Sequence, residues 1–263
     1  MTLEATTAVT GFLLPALFAL FVWWFGTGLV MLLDGLPHRT FRWSLALSSL
    51  IALGALACIA RSAADTGMGG AYAAFTCAVL AWGWHELAFL TGWLTGPRKT
   101  ACSAPGDGPT RFNEAVLAIL WHELAIVAMA LLIVALTWGQ PNQVATWTFA
   151  LLWVMRLSAK FNLFLGVRNR GEEFLPPHLL YLGSYFRQRS INALLPLSLL
   201  AGSTVAVALA LLAAGTDGAQ RVGLVLVTAM LVLALIEHLL MVLPLRTAFL
   251  WRWALRQGQA FTS

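Results

Sequence analysis

Seven long apolar runs dominate the chain, near residues 8–33, 43–60, 69–95, 113–139, 143–166, 192–215 and 219–248. The hydrocarbon core of a bilayer is about 30 Å thick, and a helix rising ~1.5 Å per residue crosses it in roughly 20 predominantly apolar residues. Hydrocarbon offers the backbone no water, so only helices and closed barrels satisfy their own N–H and C=O groups there. The runs are continuous and rich in Leu and Ala, without the alternating segments of about ten residues that a barrel needs. The expected fold class is all-α: a polytopic membrane bundle of seven transmembrane helices, forming a single integral membrane domain over residues 1–263. Of these residues 60% are apolar and 10% charged, and the mean hydropathy is +0.80. A soluble domain carries about a quarter charged residues, so little polar sequence remains for a separate soluble domain. The first run lacks a basic flank and a small-residue cleavage site, and reads as a retained helix rather than a signal peptide. The three cysteines, Cys58, Cys77 and Cys102, lack metal or disulfide spacing and read as free thiols.

Basic residues in the connections orient the bundle. The N-terminus and the 2/3, 4/5 and 6/7 connections hold only Arg61 and Arg221. The other connections and the C-terminus hold Arg39, Arg42, Arg98, Lys99, Arg111, Arg168, Arg170, Arg187, Arg189, Arg246, Arg252 and Arg256. The positive-inside rule then puts the N-terminus in the periplasm and the C-terminus in the cytoplasm. The basic surplus faces anionic lipid at the cytoplasmic face and calls for no nucleic acid. The longest connection, 168–191, carries mixed charge, Pro176-Pro177 and two tyrosines, Tyr181 and Tyr185, and reads as an ordered cytoplasmic cap.

Of the basic residues only Arg156 and Lys160 remain, both inside span five, and they have company. Span three contains Trp84-His85-Glu86-Leu87-Ala88, span four repeats the pentad as Trp121-His122-Glu123-Leu124-Ala125, and span seven carries Glu237-His238. An ionisable group inside a membrane helix costs at least ~2.5 kcal/mol unless it pairs or meets water, and marks function by default. In the inferred orientation His85, His122 and His238 each lie about ten residues, or roughly 15 Å, from the cytoplasmic end of their helix. Arg156 falls near that level and Lys160 about a turn closer to the cytoplasm. Four helices are thus expected to bring ionisable groups to one slab.

Three chemistries suit that group. It can neutralise itself as an ion-pair network, with Arg156 and Lys160, four apart on one face, clamping two glutamates. It can hold a metal ion, Fe, Zn or Mn, through His85, Glu86, His122, Glu123, Glu237 and His238. Adjacent His and Glu are about 100° apart around a helix, however, so both need not reach one ion, and two cations would repel it. Alternatively His85, His122 or His238 can ligate a tetrapyrrole, haem or bacteriochlorophyll, packed by Trp82, Trp84, Trp93, Trp121 or Trp153. Arg156 and Lys160 would then balance charge or meet a propionate. His38 and Glu114 sit at helix ends and read as solvated or capping. The chain has no P-loop, dinucleotide fingerprint, nucleophile elbow or zincin motif, which argues against ATP-driven or conventional hydrolytic chemistry.

The chain resembles the photosynthetic complex assembly proteins of purple phototrophic bacteria, the PuhE type. The resemblance rests on the two Trp-His-Glu segments at 84–86 and 121–123, on Lys160-Phe161-Asn162-Leu163-Phe164-Leu165-Gly166-Val167, and on Glu172-Glu173-Phe174-Leu175-Pro176. It continues through His178-Leu179-Leu180-Tyr181-Leu182-Gly183-Ser184-Tyr185-Phe186 to Asn192, with Arg168 standing where the family is expected to have Pro. The resemblance implies a multi-pass protein of the bacterial inner (intracytoplasmic) membrane, encoded with reaction-centre components. Its implied role is assembly of the reaction-centre and antenna apparatus or modulation of bacteriochlorophyll supply. The implied partners are reaction-centre or light-harvesting subunits and a pigment or pigment precursor. No catalytic residues carry over from it. Two other readings of the same cluster are a metal-dependent membrane oxidoreductase acting on a lipophilic pigment or precursor, and a proton-coupled transporter.

Overall fold

The computed structural model describes residues 9–103, 106, 108–244 and 250–254. Seven helices long and apolar enough to cross a membrane follow in chain order. They are α1 (Val9–Asp34), α2 (His38–Ser62), α3 (Met68–Leu90), α4 (Pro109–Thr137), α5 (Val144–Leu165), α6 (Leu194–Ala214) and α7 (Gly218–Leu240). The described residues contain no strand. The seven expected spans are present, and their ends differ in ways that local chemistry explains.

Helix α2 begins at His38, five residues before its apolar run, because Pro37 is extended (ψ 140°) and supplies no N–H, while His38, Arg39 and Arg42 extend the helix beyond the apolar stretch. Helix α3 stops at Leu90 rather than 95. The Thr91 hydroxyl donates to Leu87 O at 2.7 Å, and Gly92 takes φ +77°, a left-handed conformation that a Cβ would strain. The chain from Thr91 to Arg98 then runs against the middle of α4, where the His122 amide donates to Thr95 O (2.9 Å) and the Arg98 amide to Leu117 O (3.3 Å). Gly96 permits that approach, since a Cβ there would collide with the carbonyls of Leu117 and Ala118. Helix α7 ends at Leu240; the remainder of the seventh run, 245–248, lies outside the described residues, as do residue 8, Arg246 and Arg256.

Helices α3 and α7 form the centre, each with 56% of its most apolar window buried, whereas α1 and α6 have 11% and form the periphery. Small residues on α3, namely Ala71, Ala74, Ala78 and Ala81, let neighbouring backbones come close. Ile59 of α2, Ile126 and Ile133 of α4 and Phe149 of α5 pack on one side, and Ala19 of α1 with Val222, Leu226 and Met230 of α7 on the other. Outward-facing Leu200, Val207 and Leu211 on α6 remain exposed, as a surface solvated by lipid tails requires.

Polar ties close both ends. Asn142 donates to Ser62 O (2.9 Å), joining the 2/3 and 4/5 connections. At the other end the 168–191 segment folds into two short 3-10 helices, Glu172–Phe174 and Pro177–Tyr185. Buried Arg111 donates to Phe164 O (2.8 Å) and Tyr185 O (2.6 Å), and Asn169 to Leu240 O (2.7 Å), so the segment is an ordered cap. Glu114 pairs with Arg98 (3.1 Å) and accepts from Ser103. Residues 250–254 return to α1, with Trp24 donating to Leu250 O (2.9 Å) and Trp251 to Trp24 O (3.2 Å).

Candidate functional site

Adjacent His and Glu in each pentad diverge by about 100° around their helix, and the bundle uses the two directions differently. The glutamates turn to α5. Arg156 Nη2 lies 3.0 Å from Glu86 Oε2, and Lys160 Nζ lies 2.5 Å from Glu123 Oε1, so one face of α5 clamps α3 and α4 as the four-residue spacing suggests. Trp153 Nε1 donates to the other Glu123 oxygen at 3.4 Å. Glu237 of α7 accepts from Trp23 Nε1 of α1 at 3.0 Å and also acts electrostatically on Arg156.

The histidines turn inward. His85 and His122 are 1% and 0% exposed, with ring centroids 6.4 Å apart. Trp84 (4.8 Å) and Phe149 (5.9 Å) flank His85, and Phe89 (4.6 Å) flanks His122. None of the four ring nitrogens has a hydrogen-bond partner. Buried polar atoms are hydrogen-bonded in the great majority of cases, and leaving one unpaired costs ~1–3 kcal/mol. His238 is different. Its Nδ1 donates to Ala234 O (2.8 Å), and its Nε2 lies at hydrogen-bond distance from Ser158 Oγ (3.0 Å). Ser158 in turn meets Ser198 of α6 at 3.0 Å.

The structure therefore brings His85, Glu86, His122, Glu123, Arg156 and Lys160 together across α3, α4 and α5, joins Glu237 through the field of Arg156, and keeps His238 on a separate serine path. Their positions within the helices are not the uniform ten residues expected. His85 precedes the end of α3 by five residues, His122 follows the start of α4 by thirteen, and His238 precedes the end of α7 by two. The helix ends moved while the contacts formed. Among the described residues no three His, Cys, Asp or Glu side chains are placed to share a metal ion. Each of the three glutamates has a cation or an indole as partner, with Glu86 Oε1 left unpaired, and His85 and His122 stand as a two-imidazole donor set. Aromatic rings pack on both imidazoles of this pair. Sequence reasoning missed Trp23 and Ser158. Ser158 stands midway between Arg156 and Lys160 and so on the opposite face of α5, the one signal that was available.

A seven-helix bundle with a charge-compensated polar core defines a polytopic helical membrane protein. The chain belongs to a family described as "Protein of unknown function (DUF3623)", whose model matches residues 9–262. It is similar to "Uncharacterized 30.4 kDa protein in puhA 5'region" of Rhodobacter capsulatus, with 40% identity over 248 residues, 92% of this chain and 90% of the relative. No solved structure matches the chain.

Proposed function

We propose that the protein serves the photosynthetic apparatus from the bacterial inner (intracytoplasmic) membrane, with its N-terminus periplasmic, as a PuhE-type assembly factor or a modulator of bacteriochlorophyll supply. In this reading the His85–His122 pair is its ligand site. The Rhodobacter capsulatus relative is described as a protein of the puhA 5' region, which supports the reaction-centre context that the sequence resemblance implies. Reaction-centre or light-harvesting subunits, and a pigment or its precursor, are the corresponding partners.

One observation carries the assignment of the site: four unpartnered ring nitrogens on two enclosed imidazoles, beside glutamates that each already have a cationic or indole partner. Neutral imidazole nitrogen is a ligand for Fe or Zn, and metal binding requires that the ligand be unprotonated. His85 and His122 would hold the ion and the remaining positions would fall to small molecules. The ion would supply Lewis acidity or redox chemistry, while the ion pairs of Glu86 and Glu123 hold α3, α4 and α5 in register. A pigment would act from the lipid-facing surface rather than between the two rings.

The test is elemental analysis and absorption spectroscopy on the full chain purified in mild detergent, wild type beside His85→Ala and His122→Ala. About one Fe or Zn per chain, lost in both variants, is expected. A Soret band that vanishes in the variants would replace the metal ion with a tetrapyrrole; neither metal nor pigment in wild type would refute the ligand site.

A further inference from the structure

A second group of polar atoms gathers at the end of the bundle that the loop charges assign to the cytoplasm. It shares no residue with the His85–His122 site and stands independently of that reading. Where α3 stops and Gly92 turns the chain, the 91–98 segment faces the start of α2 and the second 3-10 helix of the cap. Between them lies a hollow of about 240 Å³ lined by His38, Thr91, Thr95, Lys99, His178 and Tyr181. Each of the 1/2, 3/4 and 5/6 connections contributes to its wall.

Three polar atoms are buried around this hollow: His178 Nδ1, which has no partner, and the hydroxyls of Thr95 and Tyr181, whose only hydrogen-bonding interaction is a weak one with each other. Thr95 is itself 1% exposed. His178 Nε2 donates to Leu90 O at 2.7 Å, so a proton taken up by the ring goes to Nδ1 and makes it a second donor. The His38 ring stands edge-on to it at 4.9 Å, and Lys99 Nζ is held nearby by Gly92 O at 3.2 Å. His38 is also the first residue of α2, which brings the positive end of a 25-residue helix and its first N–H groups to the same place. No carboxylate lines the hollow. Burial, together with the charges of His38 and Lys99, pushes the His178 imidazole below its usual range.

Hydroxyl and cationic donors without an acid are the complement of an anion with several oxygens. The volume is below the ~300–1,000 Å³ of drug-sized sites, which suits a headgroup and excludes a macrocycle. We propose that this hollow binds a phosphate group, carried either by an anionic phospholipid or by a small water-soluble compound. A second hollow of about 400 Å³ shares His38 and Thr91 with it and is lined by Arg39, Phe41, Arg42 and Trp93. Its aromatic and basic rim is where the rest of such a molecule would lie, with the Trp93 ring 70% exposed.

The test uses the full chain, delipidated in neutral detergent and titrated with inorganic phosphate, and in parallel reconstituted with phosphatidylglycerol or phosphatidylcholine and examined by native mass spectrometry. Either a phosphate-dependent rise in melting temperature or selective retention of phosphatidylglycerol is expected. Thr95→Val and Lys99→Gln should weaken that signal at least tenfold, while Thr95→Ser, which keeps the hydroxyl, and Arg61→Gln, at the opposite end, should leave it intact. A response to phosphate alone assigns a soluble phosphate compound, and retention of the lipid alone assigns the headgroup. Absence of both in wild type, or a Thr95→Val chain that binds like wild type, would overturn the proposal.

Discussion

Replacing His85 or His122 with leucine is expected to stabilise the metal-free protein, whereas the same change at His238 is expected to destabilise it. Each of the first two rings carries two buried nitrogens without a partner. At ~1–3 kcal/mol for an unsatisfied buried group, one ring costs about 2–6 kcal/mol. A hydrophobic side chain of similar volume removes that cost and introduces a shape change of less than about 1.5 kcal/mol. The net gain is then at least ~0.5–4.5 kcal/mol. At roughly 2–4 °C per kcal/mol for a chain of this size, the melting point should rise by at least about 1 °C. Both His238 nitrogens are hydrogen-bonded, so His238→Leu removes interactions of about 1 kcal/mol each and the melting point should fall. Thermal unfolding in detergent after chelation, followed by tryptophan fluorescence, reads all three variants together. If His85→Leu and His122→Leu both melt more than about 4 °C below wild type, the two rings are structural and the reasoning fails.

Three further outcomes follow. Glu123→Gln and Lys160→Met, each stranding one side of a pair whose side chains are only 19% and 18% exposed, should each destabilise by about 3 kcal/mol, with the double variant recovering most of the loss in a thermal double-mutant cycle. The His178 imidazole is held below its usual range by burial and by His38 and Lys99, so the unfolded chain takes up that proton first. Wild type should therefore lose stability as pH falls through about 6.5, His178→Gln should lose less over the same window, and added phosphate should diminish the difference; parallel melting curves for the two chains would count against it. Glu237→Gln should weaken Zn or Fe binding about tenfold in a chelator competition although Glu237 is not a ligand, and an unchanged affinity would show the two charges to be uncoupled.

Seven spans were legible because a helix solvated by lipid needs apolar residues on its outer face and a bundle needs them on its inner one, so the runs are nearly continuous. The ends were less so, since Pro37, the Thr91 hydroxyl and the left-handed Gly92 set them through hydrogen bonding that hydropathy does not register. Within the polar core, the α5 clamp was readable from the spacing of Arg156 and Lys160. The divergence of each histidine from its neighbouring glutamate was readable from the helical angle. Which way each helix turns was not: His238 points at α5 and α6, while His85 and His122 point at each other, and interhelical packing alone decides that. Trp23 escaped notice because an indole in a membrane helix is ordinary, yet it supplies the hydrogen bond that Glu237 needs.

The charge balance of the core ties these parts together. Two cations, Arg156 and Lys160, meet two carboxylates, Glu86 and Glu123, at ion-pair distance, and Glu237 is left with an indole N–H for its direct partner. Glu237 lies on the exposed side of α7, and a carboxylate facing lipid demands one more positive charge, taken up either as a proton or as a cation nearby. The two unpartnered imidazoles are the groups in the core able to accept that cation, and the geometry keeps them apart from the carboxylates, so the cation would be neutralised through space rather than by ligation. For scale, a unit charge pair at ~10 Å and an effective dielectric near 20 contributes ~1.7 kcal/mol, so the size of the affinity change reports how close Glu237 stands to the site. Glu237 then sets the charge for which the His85–His122 pair is built. Its carboxylate and the site should exchange one proton for one cation, a coupling that a purely structural polar network would not display.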